Sequence, residues 1–356
     1  MRVLVVNAGS SSLKLRLLDP TDQVLDTRDL ETPAGPEDIE RFVSTVDRVD
    51  AVGHRIVHGG NEFTGPAVID DEVRDRIDAL AELAPLHQPH GVAGIDALRA
   101  ALPGVPAVAC FDTSFHHDLP AAAATYALPR DWNDRWGLRR YGFHGLSHAY
   151  IARRSAELLG RPGLRVVSCH LGSGASLAAI AGDRSVDTTM GFTPLEGLIM
   201  ATRPGSVDPG LLLWLLRHGG LDVDALEEAL EHRSGLAGLT GGTGDLRDIP
   251  LTDNAFAIYV HRLRREIAAM AAALDGLDVL AFTGGVGEHQ PPVRAAAAAG
   301  LGFLGVHLDE PANRAADSDA DITAPGAQVT TLVLTAREDL EIARQTRATL
   351  NASVQP

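Results

Sequence analysis

Apolar residues of this chain occur mostly in short runs separated by small polar loops, a pattern typical of strands joined by tight turns. Three such runs between residues 3 and 30 predict three strands, and the loop Asn7–Ser12 joins the first two. The same pattern recurs at 164–188 around the loop His170–Gly174. Two strand–loop–strand units of one kind predict a duplicated domain whose halves face each other across a cleft.

Helices and further short strands are predicted for the rest of the chain. Apolar residues at helical spacing predict helices at 37–50, 70–83, 91–101, 149–159, 211–218, 222–232, 256–274, 293–299 and 340–350. Short apolar runs predict buried strands at 52–57, 105–110, 279–282 and 329–334. Helices that alternate with strands are typical of α/β proteins.

The overall composition argues against several classes of protein. A length of 356 residues exceeds one typical core, so we expect two domains. The chain starts directly with a strand pattern and has no apolar run of membrane-spanning length, which predicts a cytoplasmic protein without a membrane partner. A net charge of −16 argues against a nucleic-acid partner. Cys110 and Cys169, the two cysteines, lie beside apolar runs and are expected to be buried free thiols.

Both glycine- and serine-rich loops suit phosphate groups, because backbone N–H groups approach an anion closely where side chains are small. Lys14, which follows the first loop, is the only lysine among 31 basic residues. A coding bias toward arginine could leave one lysine there by chance. We favour the interpretation that a compact ammonium group is needed at this position. The GxxxxGK[ST] motif is absent from the sequence, so this is not a P-loop protein.

Charged residues at strand ends and among glycines are the other candidates for chemistry. Arg55 lies within an apolar run, and Asp112 directly follows another run, where it is either a cleft carboxylate or a helix N-cap. The segment 139–148 clusters basic, aromatic and histidine residues and is expected to face a ligand, and Arg203 lies among turn-forming residues. With a third glycine segment, Thr283–Glu288, these groups indicate phosphoryl transfer, in which charge is neutralised and the partners are aligned.

Short motifs along essentially the whole chain match one family. In order they are VNAGSSSLKLRL, GHRIVHGG, FDTSFH, RRYGFHGLSH, HLGSGASL, GFTPLEGLIMATRPGSVDP, DLRDI, FTGGVGE and RED, and together they resemble the acetate kinase family. The resemblance implies an α/β fold of two ribonuclease H-like (actin-like ATPase) domains with duplicated βββαβαβα topology around a central cleft. It implies a domain I at 1–117 plus 340–356 with the first phosphate hairpin. Domain II would be 118–339, with the second hairpin, the adenosine loop and a dimer interface.

The resemblance also implies a reaction and roles for single residues. Members transfer a phosphoryl group reversibly from ATP to acetate by direct in-line transfer, with magnesium or, as the alternative, manganese. Catalytic roles fall on Arg55, Asp112, His144 and Arg203, and metal binding on Asn7 and Glu338. Nucleotide and phosphate contacts fall on Ser10, Ser12, Lys14, His170, Leu171, Gly172, Ser173, Gly174, Asp245, Leu246, Arg247, Gly285, Val286, Gly287, Glu288 and His289.

The acceptor needs no general base, because acetate is already ionised at pH 7. Asp112 is therefore interpreted as an orienting group or a metal partner, and Glu338 as a hard oxygen ligand for magnesium. Arg55 is expected to bind the substrate carboxylate, and the candidate walls of a small apolar acceptor pocket are Val57, Leu86 and Phe143.

Some positions depart from the family's pattern and leave alternatives open. Ser173, Leu146 and His289 stand where relatives usually have asparagine, threonine and asparagine. Ser173 shortens a side chain in the second phosphate loop, so pyrophosphate stays beside the preferred donor, ATP. Propionate and butyrate stay beside the preferred acceptor, acetate. A homodimer is expected by resemblance, and a non-enzymatic nucleotide switch of the actin type is the hypothesis from another class.

Overall fold

The computed structural model describes residues 1–8, 12–31, 36–85 and 87–353, and the apolar runs of the sequence form its strands. In chain order they are β1 (Val3–Ala8), β2 (Ser12–Leu18), β3 (Val24–Glu31), β4 (Ala51–Ile56), β5 (Ala67–Val68), β6 (Ala107–Phe111), β7 (Arg165–Leu171), β8 (Ala175–Ala181), β9 (Arg184–Thr188), β10 (Val279–Thr283), β11 (Ala320–Asp321) and β12 (Thr330–Val333). With two residues each, β5 and β11 are too short for a periodic pattern to predict them.

Helices connect and cover these strands. They are α1 (Pro36–Thr45), α2 (Asp71–Ala79), α3 (Gln88–Ala101), α4 (Ala121–Ala124), α5 (Arg130–Trp136), α6 (Gly145–Leu159), α7 (Pro209–His218), α8 (Val223–His232), α9 (Gly235–Thr240), α10 (Asn254–Ala273), α11 (Gly284–His289), α12 (Pro291–Ala298), α13 (Glu310–Ala315) and α14 (Glu338–Ala352). Several begin after an aspartate whose carboxylate accepts a hydrogen bond from a backbone N–H group of the first turn, which stabilises the helix start. These aspartates are Asp70, Asp208, Asp222, Asp253 and Asp309.

Two six-stranded sheets have the same topology. The first has the order β3-β2-β1-β4-β6-β5 and the second the order β9-β8-β7-β10-β12-β11. In each, the first three strands in sequence pair antiparallel, the next two long strands are parallel to the first, and the two-residue strand is antiparallel at the edge. Even the register irregularity in the second strand is repeated, at Leu17/Leu18 and at Ala179/Ile180. The predicted α/β fold and its duplication are confirmed.

The core of the first sheet follows the alternation of side chains along each strand. Leu4 and Val6 of β1 pack with α1 and α3 on one face, and Val3 and Val5 pack with Ile342 of α14 on the other. A sheet covered by helices on both faces leaves only its strand ends open to ligands, which is where α/β proteins place their sites.

Two segments that were predicted to be loops are partly helical. The segment Thr283–Glu288 was expected to be a glycine loop, yet Gly284–His289 forms α11, because the Glu288 carboxylate accepts a hydrogen bond from the N–H group of Gly284 at 2.9 Å. The segment 139–148 was also expected to be a loop, yet α6 begins at Gly145, whose N–H group donates to the Asp112 carbonyl at 2.9 Å. The first contact is local, within α11, whereas the second joins α6 to the residue that follows β6 and leaves no periodic signal in the local sequence.

The chain divides into two compact units. The first comprises Met1–His117, Phe143–Tyr150 and Arg337–Pro356, and the second Asp118–Gly142 and Ile151–Ala336. The domain boundaries implied by the resemblance, 1–117 plus 340–356 and 118–339, stay a prediction. Within the described ranges, no helix combines the length and apolarity needed to cross a membrane.

Candidate active site

In the first unit, sheet register places three of the predicted residues side by side. Asn7 of β1 pairs with Lys14 of β2 and with Arg55 of β4. Paired residues of neighbouring strands project their side chains from the same face of a sheet. Lys14, Asn7 and Arg55 therefore form a row across three neighbouring strands. Ser10 and Leu86, which were predicted to bind substrates, lie outside the described residues, as does the side chain of Ser12.

A chain of hydrogen bonds extends this row. Arg55 donates to the Asp112 carboxylate, from Nη2 to Oδ2 at 2.6 Å and from Nε to Oδ2 at 3.1 Å. Its Nη1 donates to Asn7 Oδ1 at 3.0 Å, and Asn7 Nδ2 donates to Glu338 Oε2 at 2.9 Å. The structure thus brings together four predicted site residues from three strand ends and from the first turn of α14.

Burial and neighbouring charges shift the pKa values of the groups in this cluster. The Asp112 side chain is 1% exposed and that of Arg55 is 15% exposed. Burial by itself lowers the pKa of Arg55, but the carboxylates of Asp112 and Glu338 outweigh it and raise the pKa of the guanidinium above its ordinary value. Burial raises the pKa of the Asp112 carboxyl, against the opposing effect of Arg55. Arg55 is therefore a permanent cation held at a strand end, where an anion can approach it.

The segment Phe143–Gly145 packs against this cluster. The backbone bond between Gly145 and Asp112 holds the segment at the end of β6, and His116 Nε2 lies 3.1 Å from the Phe143 carbonyl. His144 adopts a positive φ of 55°, which is uncommon for a residue with a side chain. Val57 and Phe143, the described candidate walls, are 8% and 2% exposed. The structure therefore keeps His144, Phe143 and Val57 in the same unit as Arg55.

The second unit repeats the row with different side chains. His170 of β7 pairs with Ser176 of β8 and with Thr283 of β10, the positions that correspond in topology to Asn7, Lys14 and Arg55. Its hairpin is closed by a hydrogen bond from the Gly172 N–H group to the Gly174 carbonyl at 3.0 Å. The duplication therefore preserves the register of the paired strands while changing the polar groups at these positions.

A cavity of about 570 Å³ lies within the second unit. It is lined by eight residues predicted to contact nucleotide, namely Gly172, Ser173, Asp245, Leu246, Arg247, Gly285, Val286 and His289. Met200, Leu236 and Tyr259 add apolar and aromatic surface. Among the residues that the structure describes, His170, Leu171, Gly174, Gly287 and Glu288 were predicted to contact nucleotide but do not line this cavity.

Asp245 and Arg247 pair with each other at the cavity edge. Arg247 Nη2 lies 2.5 Å from Asp245 Oδ2, and the Arg247 N–H group donates to Asp245 Oδ1 at 2.9 Å. The hydrogen bonds from Arg247 hold the pKa of the Asp245 carboxyl down to about 2. A fixed carboxylate therefore keeps the Arg247 side chain at the mouth of the cavity.

Arg203 belongs to the second unit and lies outside this cavity lining. Its Nη1 donates to the Pro194 carbonyl at 3.2 Å, and its Nε lies 3.9 Å from the Glu231 carboxylate. Burial lowers the pKa of Arg203, and Glu231 opposes that shift. Arg203 is thus held by one backbone carbonyl and, at longer range, by the Glu231 carboxylate.

Two residues that form or support the cavity wall are not indicated by any motif of the sequence. Tyr259 of the long helix α10 lines the cavity, although no motif of the sequence gives it a role. Arg294 is fully buried beneath α11, and its only sequence signal is a lone charged residue in the alanine-rich helix α12.

Comparison with known proteins gives consistent matches. A model of the acetokinase family matches residues 36–344. An acetate kinase of Synechococcus sp. (strain JA-2-3B'a(2-13)) is 51% identical over 83% of this chain and 75% of that protein. A crystal structure of Porphyromonas gingivalis acetate kinase has a TM-score of 0.90 and 36% identity, covering 98% of this chain and 99% of that chain. A propionate kinase from Francisella tularensis subsp. tularensis SCHU S4 has a TM-score of 0.90 and 32% identity, with the same coverage.

Two sheets of the same topology, each with a row of polar residues at its strand ends, together with these matches, define the class of protein: a kinase that transfers phosphoryl groups. More narrowly, the chain belongs to the acetokinase family.

Proposed function

We propose that this protein transfers a phosphoryl group reversibly from ATP to acetate, giving acetyl phosphate and ADP. The observation that carries the proposal is the hydrogen-bonded chain of Asp112, Arg55, Asn7 and Glu338, which fixes a buried guanidinium at a strand end, in the row that Asn7 shares with Lys14. A fixed arginine offers forked donors to a carboxylate, which suits an acetate acceptor.

The proposed mechanism needs positioning and charge neutralisation rather than proton transfer. Acetate is ionised at neutral pH, so Asp112 acts by orienting Arg55 and not as a base. Arg203 and His144 would stabilise the charge on the phosphoryl group in the transition state of its transfer to acetate. Lys14 would neutralise charge on the phosphates of the donor. In-line transfer between two anions is favoured because the fixed cations offset their repulsion.

The cavity supports ATP over pyrophosphate as the donor. Its wall includes Met200, Leu236, Leu246, Val286 and Tyr259, which are apolar or aromatic side chains suited to a nucleoside. Pyrophosphate has no group that would use such surface. The shorter side chain of Ser173 therefore does not by itself argue for the smaller donor.

A divalent metal fits the residues present. Magnesium takes hard oxygen ligands, usually one or two carboxylates together with phosphate oxygens and water. Glu338 would supply a carboxylate oxygen and Asn7 its amide oxygen, and the two side chains already lie together because Asn7 Nδ2 donates to Glu338 Oε2 while Asn7 Oδ1 accepts from Arg55. Within the described ranges no group of three or more histidine, cysteine, aspartate or glutamate residues forms a metal site, which agrees with a metal held largely by its substrate. When bound, magnesium would neutralise charge on the transferred phosphate; manganese is the alternative.

The oligomeric state and the compartment belong to the same proposal. Three apolar side chains of α7, Leu211, Leu213 and Trp214, are 48%, 51% and 54% exposed. Exposed apolar surface of this kind is typical of subunit interfaces, and we assign it to a second copy of the chain, in a homodimer formed through the second unit. Cys110 and Cys169 are buried free thiols, which supports a reducing, cytoplasmic environment.

A coupled assay with purified protein tests the reaction. ATP and pyrophosphate are each offered with acetate, propionate and butyrate, in the presence of magnesium or manganese. We expect the highest kcat/KM for ATP with acetate. A higher kcat/KM for propionate would reassign the acceptor to the longer acid, as in the Francisella relative's name. Absence of activity with every acid and both donors would contradict the proposal.

A further inference from the structure

Arg294 of α12 is completely buried, and its guanidinium donates four hydrogen bonds. Its Nε donates to Asn313 Oδ1 at 2.7 Å, and its Nη2 donates to the Asn313 carbonyl at 2.6 Å. Its Nη1 donates to the carbonyls of Gly287 and Glu288 at 2.8 Å and 2.7 Å. One side chain thereby joins the last turn of α11 to α13.

The charged guanidinium of Arg294 is surrounded by neutral carbonyl groups. In the part of the chain that the structure describes, no carboxylate forms an ion pair with it, and burial lowers its pKa to about 10. The group therefore stays protonated at neutral pH. Its charge is balanced by carbonyl dipoles, including those of Gly287 and Glu288 at the negative end of α11. A buried charge without a counter-ion is costly and is expected where its contacts serve a purpose.

Those contacts fix a helix that forms part of the cavity wall. Gly285, Val286 and His289 of α11 line the cavity. With six residues, α11 is too short to be stable without tertiary contacts. At its start the Glu288 carboxylate accepts hydrogen bonds from Gly284 and Ala336, and at its end Arg294 binds the free carbonyls. Glu288 and Arg294 therefore determine where α11 lies.

Asn313 completes the clamp from the opposite side. Its Oδ1 accepts from Arg294, and its Nδ2 donates to the Pro291 carbonyl at 3.1 Å, just after α11 ends. Asn313 is 1% exposed, so neither contact is exchanged for water. Arg294 and Asn313 thus bind backbone carbonyls of one short segment, the last turn of α11 and the residues that follow it.

We propose that Arg294, together with Asn313, is a positioning residue for the nucleotide: it holds α11 so that Gly285, Val286 and His289 form one wall of the nucleoside site. The inference rests on the proposed function, because it takes the cavity as the binding site of ATP and ADP. Arg294 lies behind the cavity wall, so it acts through α11 and not by contact with the nucleotide.

Kinetics of Arg294→Met and Arg294→Lys, with calorimetric titration of ADP, test the inference. For Arg294→Met we expect the KM for ATP and the Kd for ADP to rise roughly tenfold or more. The reason is that a small displacement of α11 would weaken its contacts with the nucleotide. The KM for acetate is expected to stay within about twofold of the parent value, since the acceptor is assigned to the other unit. Arg294→Lys keeps the charge but loses the planar fork of donors, so an intermediate rise is expected.

Asn313→Ala provides a second variant if Arg294→Met does not fold. It leaves the charge in place and removes one acceptor and the contact to Pro291, so the nucleotide KM should rise in the same direction. Because both residues act on α11 as a unit, the double variant should raise the nucleotide KM by less than the product of the single effects.

Arg264→Met is the matched control. Arg264 of α10 donates to the Ala296 carbonyl of α12 at 2.7 Å, a comparable contact that leaves the α11 carbonyls untouched. It is expected to lower stability without changing the nucleotide KM. Parental ADP affinity in Arg294→Met and Asn313→Ala, or equal rises in both KM values, would overturn the inference while leaving the acetate kinase activity intact. A parent protein that neither binds ADP nor phosphorylates acetate would instead overturn the proposed function, and the inference with it.

Discussion

The guanidinium of Arg55 and the carboxylate of Asp112 lie 2.6 Å apart in a pair that is almost closed to solvent. Two nitrogens of Arg55 face Asp112, and the third binds Asn7 at 3.0 Å. These bonds leave the guanidinium little freedom to rotate. The pair therefore fixes the direction in which Arg55 can meet an anion, although its burial costs desolvation energy.

Asp112→Asn should therefore affect both stability and catalysis. It leaves Arg55 buried without its counter-ion, so we expect a loss of about 3 kcal/mol in the free energy of unfolding. The misoriented arginine should lower kcat/KM for acetate by roughly a hundredfold. Urea denaturation and steady-state kinetics measure the two effects. Asp96→Asn is the control, because it removes a partner of Arg74 from an exposed ion pair at 2.8 Å and should cost less than about 1 kcal/mol. Equal losses in both variants would contradict the prediction.

Arg203→Ala tests the assignment of transition-state charge. Because the proposed mechanism uses the Arg203 cation to stabilise charge in the transition state, its removal should lower kcat by roughly a hundredfold or more, with a smaller change in KM. Initial-rate kinetics with both substrates varied provide the measurement. Arg184→Ala, on an exposed position of β9, should keep parental kinetics. An unchanged kcat in Arg203→Ala would remove this residue from the transition state.

Lys14→Arg tests whether position 14, the only lysine of the chain, requires the compact shape of an ammonium group or only its positive charge. Lys14 lies beside Asn7 in the sheet register, where a planar guanidinium is larger than an ammonium group. We expect kcat/KM for ATP to fall roughly tenfold in Lys14→Arg and further in Lys14→Gln, which removes the charge. Parental kinetics in Lys14→Arg, combined with a loss in Lys14→Gln, would show that charge alone suffices.

Acid should destabilise the protein through His54. Burial lowers the pKa of this histidine from 6.5 to about 3, and its side chain is 1% exposed. The unfolded chain therefore binds more protons between pH 6.5 and about 3, and the free energy of unfolding falls as the pH is lowered through this range. His54→Leu should flatten that slope by up to about 1.4 kcal/mol per pH unit. Urea denaturation from pH 5 to pH 8 measures it, and His261→Leu on the exposed side of α10 is the control. Identical slopes in parent and His54→Leu would refute the prediction.

If two copies of the chain associate through α7, a charge introduced on this helix should separate them. Leu213→Asp places a carboxylate on the exposed apolar surface of this helix and should convert the dimer to a monomer, because burying an unpaired charge is expensive. Light scattering after size-exclusion chromatography measures the mass. Phe303→Asp, at a residue that is 74% exposed outside α7, should leave the dimer intact. A parent protein that is monomeric at assay concentration would contradict the homodimer itself.

Several parts of the site could be predicted from local sequence. Glycine and serine between two strand patterns indicated the hairpin at Gly172 and Ser173, and both residues line the cavity. The strand-end position of Asp112 left two interpretations open, and its bonds to Arg55 make it the partner of a cation rather than the cap of a helix. Arg294 could not be found in this way, because nothing within α12 distinguishes a buried arginine from an exposed one.

The sequence by itself determined the succession of strands and helices, the duplication of the sheet and the family, because hydrophobic period and turn chemistry act over a few neighbouring residues. Only the tertiary structure decided which polar groups meet. Asn7 and Glu338 are separated by 331 positions, and α11 is joined to other segments through Arg294 of α12 and through the bond from Ala336 to Glu288. The physical reason is that a hydrogen bond to a distant partner leaves no period in the sequence, although it can decide the conformation of a short segment.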